Sequence, residues 1–183
     1  MGNKTAESDE WANDGVQAKS SQRIYGGKTA AERRQARKER LMSSALELFA
    51  EDGYANTSVE RLCTDAKVST KHFYQEFYNR EHVLSALYDE IVDETHRAML
   101  KAVDPSESHP VKRLANGGDA FIHAYLDDPR KAVIACFEVV GVSEEMNEER
   151  REAIESYAAF IQTHADALAK QGVIEQKDFR FIS

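Results

Sequence analysis

Between Thr57 and Phe77 the chain spells two short amphipathic helices on either side of a tight turn, and few folds accept such a pair. Thr57 and Glu60 match the S/T-x-x-E capping box, which satisfies free backbone N–H groups at a helix start. Val59, Leu62, Cys63 and Ala66 then recur at i, i+3, i+4 and i+7, so one face of about two turns is apolar. The spacing places a turn at Lys67-Val68. Ser69 is a hydroxyl cap for the next helix, and Phe73 and Phe77, four apart, direct that helix's apolar side inward. Thr70, Lys71, His72, Tyr74 and Gln75 are left facing outward. The pattern is that of a helix-turn-helix, whose second helix enters a DNA major groove with its N-terminal residues against the base edges.

The rest of the chain is helical as well. It holds only 3 prolines and 9 glycines in 183 residues, and no alternating strand-like run interrupts the helical period, so the expected class is all-α. The expected organisation is an arm over residues 1–28 without periodicity, a three-helix module over 29–79 and a larger helical module over 80–183. Helix one carries Arg33, Arg34, Arg37, Lys38 and Arg40 ahead of the stripe Leu41, Ala45, Leu48 and Phe49, and closes at Gly53. Asn79 caps a long fourth helix bearing Leu84, Leu87, Tyr88, Ile91, Ala98 and Met99, stopped by Asp104-Pro105. A fifth helix is expected from about Ser108–Pro110 to Asp127. Asp128-Pro129 restarts the chain into a sixth over roughly 129–140, apolar enough to be central, and Ser143 caps a seventh reaching about Gln171. Val173 to Ser183, with Phe179, Phe181 and Ile182, leave no room for another long helix.

A formal net charge of −8 argues against nucleic acid only until its distribution is considered. Residues 19–80 carry 12 Lys+Arg against 8 Asp+Glu, whereas residues 81–183 carry 11 against 20, so the positive portion coincides with the helix-turn-helix. The two cysteines, Cys63 and Cys136, lie on apolar helix sides without metal-type spacing and are expected as buried thiols in a reducing cytoplasm. No run of 18 apolar residues indicates a membrane span. His96, His123 and His164 form no metal-ligand pattern. With no G-x-S-x-G, P-loop or G-x-G-x-x-G, the chain offers no catalytic constellation and no cofactor motif, and is not expected to be an enzyme.

Taken together, Ala45-Leu-Glu-Leu-Phe-Ala-Glu-Asp-Gly-Tyr54, Thr57-Ser-Val, Ala66-Lys-Val-Ser, Phe73-Tyr-x-x-Phe77 and Asn79-Arg-Glu resemble the DNA-binding domain of the TetR family of bacterial transcriptional regulators, over about residues 31–92. Phe137-Glu-Val-Val-Gly-Val-Ser143 is similar to a ligand-domain stretch of some actinobacterial members. The departures are Lys67 where the family usually has Gly, an acidic Glu76 in the reading helix, and a chain end where two more helices usually follow to build the dimer interface. The resemblance implies a cytoplasmic homodimer that represses transcription from a palindromic double-stranded DNA operator and is released by a small apolar effector.

On that reading Lys71 donates to guanine, Gln75 pairs with adenine, and Tyr74 reaches a phosphate, with Thr70 and His72 nearby. Thr57, Ser69 and Arg80 sit at helix starts where backbone N–H groups favour phosphate, and Arg33 and Arg37 grip the backbone or an adjacent minor groove. Glu76 is expected to turn toward helix one or solvent, with a solvated face favoured, or else to accept from cytosine N4. Phe121, Tyr125, Phe137, Tyr157 and Phe160 are candidates to line an effector pocket, with plain core packing as the competing role. The rival reading is a helical protein-interaction module with no specific DNA affinity.

Overall fold

The computed structural model describes residues 29–103, 106–175 and 177–178. The N-terminal arm, the Asp104-Pro105 stop and the apolar residues Phe179, Phe181 and Ile182 lie outside the described residues. Seven α-helices and no strand occur among the described residues: α1 (Ala30–Asp52), α2 (Val59–Asp65), α3 (Thr70–Glu76), α4 (Arg80–Ala102), α5 (Pro110–Leu126), α6 (Pro129–Val133) and α7 (Glu144–Lys170). A 3₁₀ turn, Tyr54–Asn56, follows α1, and a π turn, Ile134–Glu138, continues α6.

The strongest capping box stands one helix earlier than the sequence reading placed it. Thr29 and Glu32 exchange side-chain bonds with each other's backbone N–H at 2.5 and 3.1 Å, which starts α1. At α2 the cap is Ser58, whose Oγ accepts from the Arg61 N–H at 3.1 Å. Thr57 is fully buried instead and donates its hydroxyl to the Gly53 carbonyl at 3.0 Å. Both T-x-x-E matches look alike in sequence; burial of Thr57 beneath the α1 terminus is what separates them.

Leu41, Ala45, Leu48 and Phe49 form the buried stripe of α1, and Gly53 ends that helix at φ +88°. Asn79 Oδ1 accepts from the His82 N–H at 2.7 Å and starts α4. This helix is 23 residues long, about 35 Å at 1.5 Å per residue. Val83, Leu84 and Leu87 at its near end share one buried cluster with Leu62, Phe73 and Phe77, and the cluster continues through Ile91 to Ile134, Val139, Met146 and Ala153. One apolar core therefore runs from the three-helix module into the larger one. In α5, Gly117 lies so close to α4 and α7 that a Cβ there would sit 3.0 Å from Val103 and 3.4 Å from the Phe160 ring.

The sixth helix departs from expectation. Ile134 and Val139 are both buried, yet five residues in an α-helix lie about 140° apart around the axis. The chain resolves this by widening into the π turn, where the Val139 N–H donates to the Ile134 carbonyl at 3.3 Å. Both branched side chains then reach the core, and the two residues at the middle of the turn are expelled: Phe137 is 69% exposed and Cys136 is a surface thiol rather than a buried one. Cys63 is buried as expected, which pushes its thiol pKa up.

Burial also raises the Glu149 carboxyl on α7, its Oε1 accepting from Ser85 at 2.9 Å while Oε2 is buried without a partner. A carboxyl raised above its ordinary 4.5 costs stability when ionised, and that cost fades as pH falls through the raised value toward 4.5. Glu149→Gln is therefore expected to raise Tm at neutral pH, with the advantage over the parent shrinking on acidification; an equal Tm difference at every pH would contradict this account.

Candidate nucleic-acid interface

α2 ends in a complete Schellman turn: the Lys67 N–H donates to Thr64 and the Val68 N–H to Cys63, at 3.3 and 2.9 Å. This requires a left-handed residue, and Lys67 adopts φ +53°. A lysine there carries steric strain that glycine escapes. Lys67→Gly is expected to stabilise the fold by about 0.5–1 kcal/mol after glycine's extra unfolded-state entropy is counted, as read by denaturant midpoint; a loss of stability would show that the lysine side chain contributes a compensating contact.

The turn delivers α3 with its apolar side down. Phe73 and Phe77 are buried with ring centroids 5.8 Å apart. Ser69 caps α3 through a 3.4 Å contact from the His72 N–H, and its Oγ also meets His72 Nδ1 at 2.9 Å. Thr70, Lys71, Tyr74 and Gln75 are exposed, Tyr74 to 56%, whereas His72 is half-buried.

Of the orientations open to Glu76 in the sequence, the structure takes the turn to helix one and not the solvated face that the sequence favoured. Its carboxylate, only 4% exposed, receives Arg34 Nε at 2.8 and 2.9 Å, and a further Arg34 nitrogen reaches the Gln75 carbonyl at 3.3 Å. The acidic residue that seemed out of place in a reading helix thus clamps the C-terminal end of α3 to α1. Arg40 ties α1 to the Ala66 carbonyl at 3.0 Å, and Lys38 lies 5.9 Å above the Phe77 ring. Arg33 and Arg37 are half-buried on α1.

Two of the sequence-derived candidates have other work. Thr57, buried and bonded to Gly53, offers no hydroxyl to a phosphate. Arg80 donates to the carbonyls of Thr57 and Ala55 at 2.7 and 3.3 Å, and its guanidinium lies 4.1 Å above the Tyr54 ring. It staples the start of α4 to the segment leading into α2, a long-range contact that its position at a helix N-terminus conceals. Tyr78 was not among the candidates. It is 84% exposed and its ring stacks on His82 at 5.0 Å, at the link between α3 and α4. An aromatic residue just ahead of an Asn cap was the available signal.

In the larger module the structure assembles three of the five nominated aromatics. Phe121, Tyr125 and Tyr157 meet at centroid distances of 5.1–5.3 Å, and the Tyr125 and Tyr157 hydroxyls are 3.5 Å apart. His96 stacks on Tyr157 at 4.5 Å and bonds Ser156 at 3.0 Å. Burial pushes the Tyr157 phenol upward. Phe160 packs instead beside His164, and Phe137 is excluded from this cluster by the π turn. A groove of about 660 Å³ lies elsewhere, between α1 and α4, floored by Met42, Leu46, Leu87 and Ile91 and rimmed by charged residues including Glu39, Asp89 and Lys131; none of the nominated aromatics lines it.

Among the described residues, no cluster of three His, Cys, Asp or Glu side chains is placed to hold a metal ion, and no helix is long and apolar enough to cross a membrane.

A capped helix held on two supporting helices, and rooted by a long strut in a helical body, is the helix-turn-helix arrangement. Residues 41–87 match the family model described as bacterial regulatory proteins, tetR family. It is 29% identical over 101 residues to the HTH-type transcriptional regulator HbdR of Aromatoleum sp. (strain CIB), a match covering 55% of this chain and 43% of that protein. The chain thus matches less than half the length of this curated relative. Its fold is similar to that of FadR from Bacillus subtilis, solved in complex with stearoyl-CoA (TM-score 0.70, 20% identity, 78% of this chain and 76% of that one). A tetR-family regulatory protein from Rhodococcus RHA1 is similar to the same degree (TM-score 0.70, 22% identity, 79% and 75%).

Proposed function

We propose that this chain is a one-component transcriptional regulator, a cytoplasmic repressor that acts as a homodimer on a palindromic operator. The observation that carries this reading is the geometry of α3: Thr70, Lys71, Tyr74 and Gln75 stand exposed together on a helix capped by Ser69 and clamped by Arg34–Glu76. Lys71 reads guanine O6/N7 and Gln75 reads adenine. Tyr74, Ser69 and Tyr78 meet phosphates, while His72 supports the Ser69 cap, and Arg33 and Arg37 add backbone affinity from α1. Residues 29–79 serve as the reading head and 80–183 as the effector and dimerisation module.

The effector is a small, largely apolar molecule that opens the contacts among Phe121, Tyr125 and Tyr157, whose paired hydroxyls and neighbouring His96 supply a few polar groups in an apolar setting. It releases DNA only if it binds the DNA-incompetent arrangement more tightly.

The test is selection of binding sites from fragmented genomic DNA at moderate salt. Enrichment of a palindrome with half-sites about 34–36 Å apart is the expected result. Isolated half-sites would remove the dimer from the proposal, and no enrichment would favour a protein-interaction role for the acidic helical body.

A further inference from the structure

The segment Phe137-Glu-Val-Val-Gly-Val-Ser143, singled out in the sequence, contains a residue that crosses between the two modules. Glu138, at the end of the π turn, accepts the Tyr54 N–H at 2.6 Å across 84 positions of sequence. Gly53 shapes this corner through its backbone: φ +88° is a conformation that L side chains rarely adopt, while a Cβ there would meet the same Glu138 oxygen at an ordinary contact distance of 3.6 Å. Tyr54 in turn packs edge-on against Phe49 at 5.4 Å and carries the Arg80 guanidinium over its ring at 4.1 Å. Arg80 holds the carbonyls of Ala55 and Thr57, immediately before the Ser58 cap of α2. A continuous series of contacts therefore runs from the π turn to the start of the helix-turn-helix.

We propose that Glu138 is a positioning residue: its carboxylate pins the Gly53-Tyr54 corner to the effector module and so sets the orientation of α2 and α3 relative to α7. A short bond from a carboxylate to a backbone N–H is among the stronger hydrogen bonds available, and it joins elements that otherwise meet mainly through non-directional apolar packing. The pin touches no DNA. Its effect on operator affinity rests on the regulator reading above, because only a dimer reading two half-sites is sensitive to the angle of its heads.

The experiment uses the full chain carrying Cys136→Ser, with spin labels at Glu60→Cys on α2 and Glu155→Cys on α7, both exposed positions, while Cys63 stays buried. Glu138→Ala is expected to broaden the distance distribution between the labels, and Glu138→Gln, which keeps a neutral acceptor, to broaden it less. On DNA selected by the parent chain, affinity should fall about ten-fold for alanine and about three-fold for glutamine, as a charge-assisted bond is roughly twice as strong as a neutral one. Affinity for unselected DNA should not change. An unaltered distance distribution in both variants overturns the proposal, as does a broadened one with unchanged operator affinity. If the parent chain selects no DNA, it is the regulator reading that fails, and the label distances alone then decide whether Glu138 pins the head.

Discussion

Lys71→Ala is expected to lower affinity for the selected operator about ten- to a hundred-fold, the equivalent of losing one good base contact of roughly 1–3 kcal/mol. The side chain is exposed on the first turn of α3, one residue past the Ser69-capped start, where a reading helix lies deepest in the major groove. The reason to expect a base rather than a phosphate partner is the division of labour around it. Arg34, Arg40, Lys38 and Arg80 are committed within the protein to Glu76, Ala66, Phe77 and the Tyr54–Thr57 segment. Competition binding against scrambled duplexes checks this: the loss should be concentrated on the selected sequence. An equal loss on all sequences, with the salt dependence flattened by about one counterion, would make Lys71 a phosphate contact instead.

Phe73→Ala is expected to cost about 3–5 kcal/mol, a large share of the 5–15 kcal/mol that holds a typical domain together. Phe73 is fully buried where α1, α2, α3 and α4 converge, in contact with Phe77 and edge-on to Tyr74 at 5.2 Å. Because the core is continuous into the larger module, unfolding should remain one transition with a lowered midpoint, not a separate early loss of the head. Chemical denaturation followed by both tyrosine fluorescence and helical ellipticity measures it. A cost under about 1 kcal/mol would mean that neighbouring side chains collapse into the vacated space. Tyr74→Phe, on the exposed side of the same helix, should leave the midpoint unchanged.

Much of the molecule was legible in its sequence because the signals concerned were local. Helix periods, the caps at Ser69, Asn79, Asp128 and Ser143, and the stop at Gly53 depend on side chains three or four residues from the backbone groups they serve. That Glu76 would not face phosphates was also foreseeable, since a carboxylate there would be repelled, although its inward turn to Arg34 was not. Thr57, Arg80, Cys136 and Phe137 were misplaced because each is decided by how the core closes and not by its own helix's capping pattern. Thr57 is buried by the end of α1, and Arg80 is drawn to carbonyls 23 and 25 residues away. Cys136 and Phe137 are expelled because Ile134 and Val139 compete for the same core.

The amino-acid order by itself therefore determined an all-helical chain with a helix-turn-helix and an outward face of Thr70, Lys71, Tyr74 and Gln75, because apolar periodicity and end-capping act within one or two turns. Which arginines remain available, where the aromatic cluster forms, and how Glu138 meets Tyr54 were decided only by tertiary structure. Those outcomes depend on which surfaces the closing core brings within hydrogen-bond reach, and burial assigns a polar group its partner from whatever the fold has placed beside it.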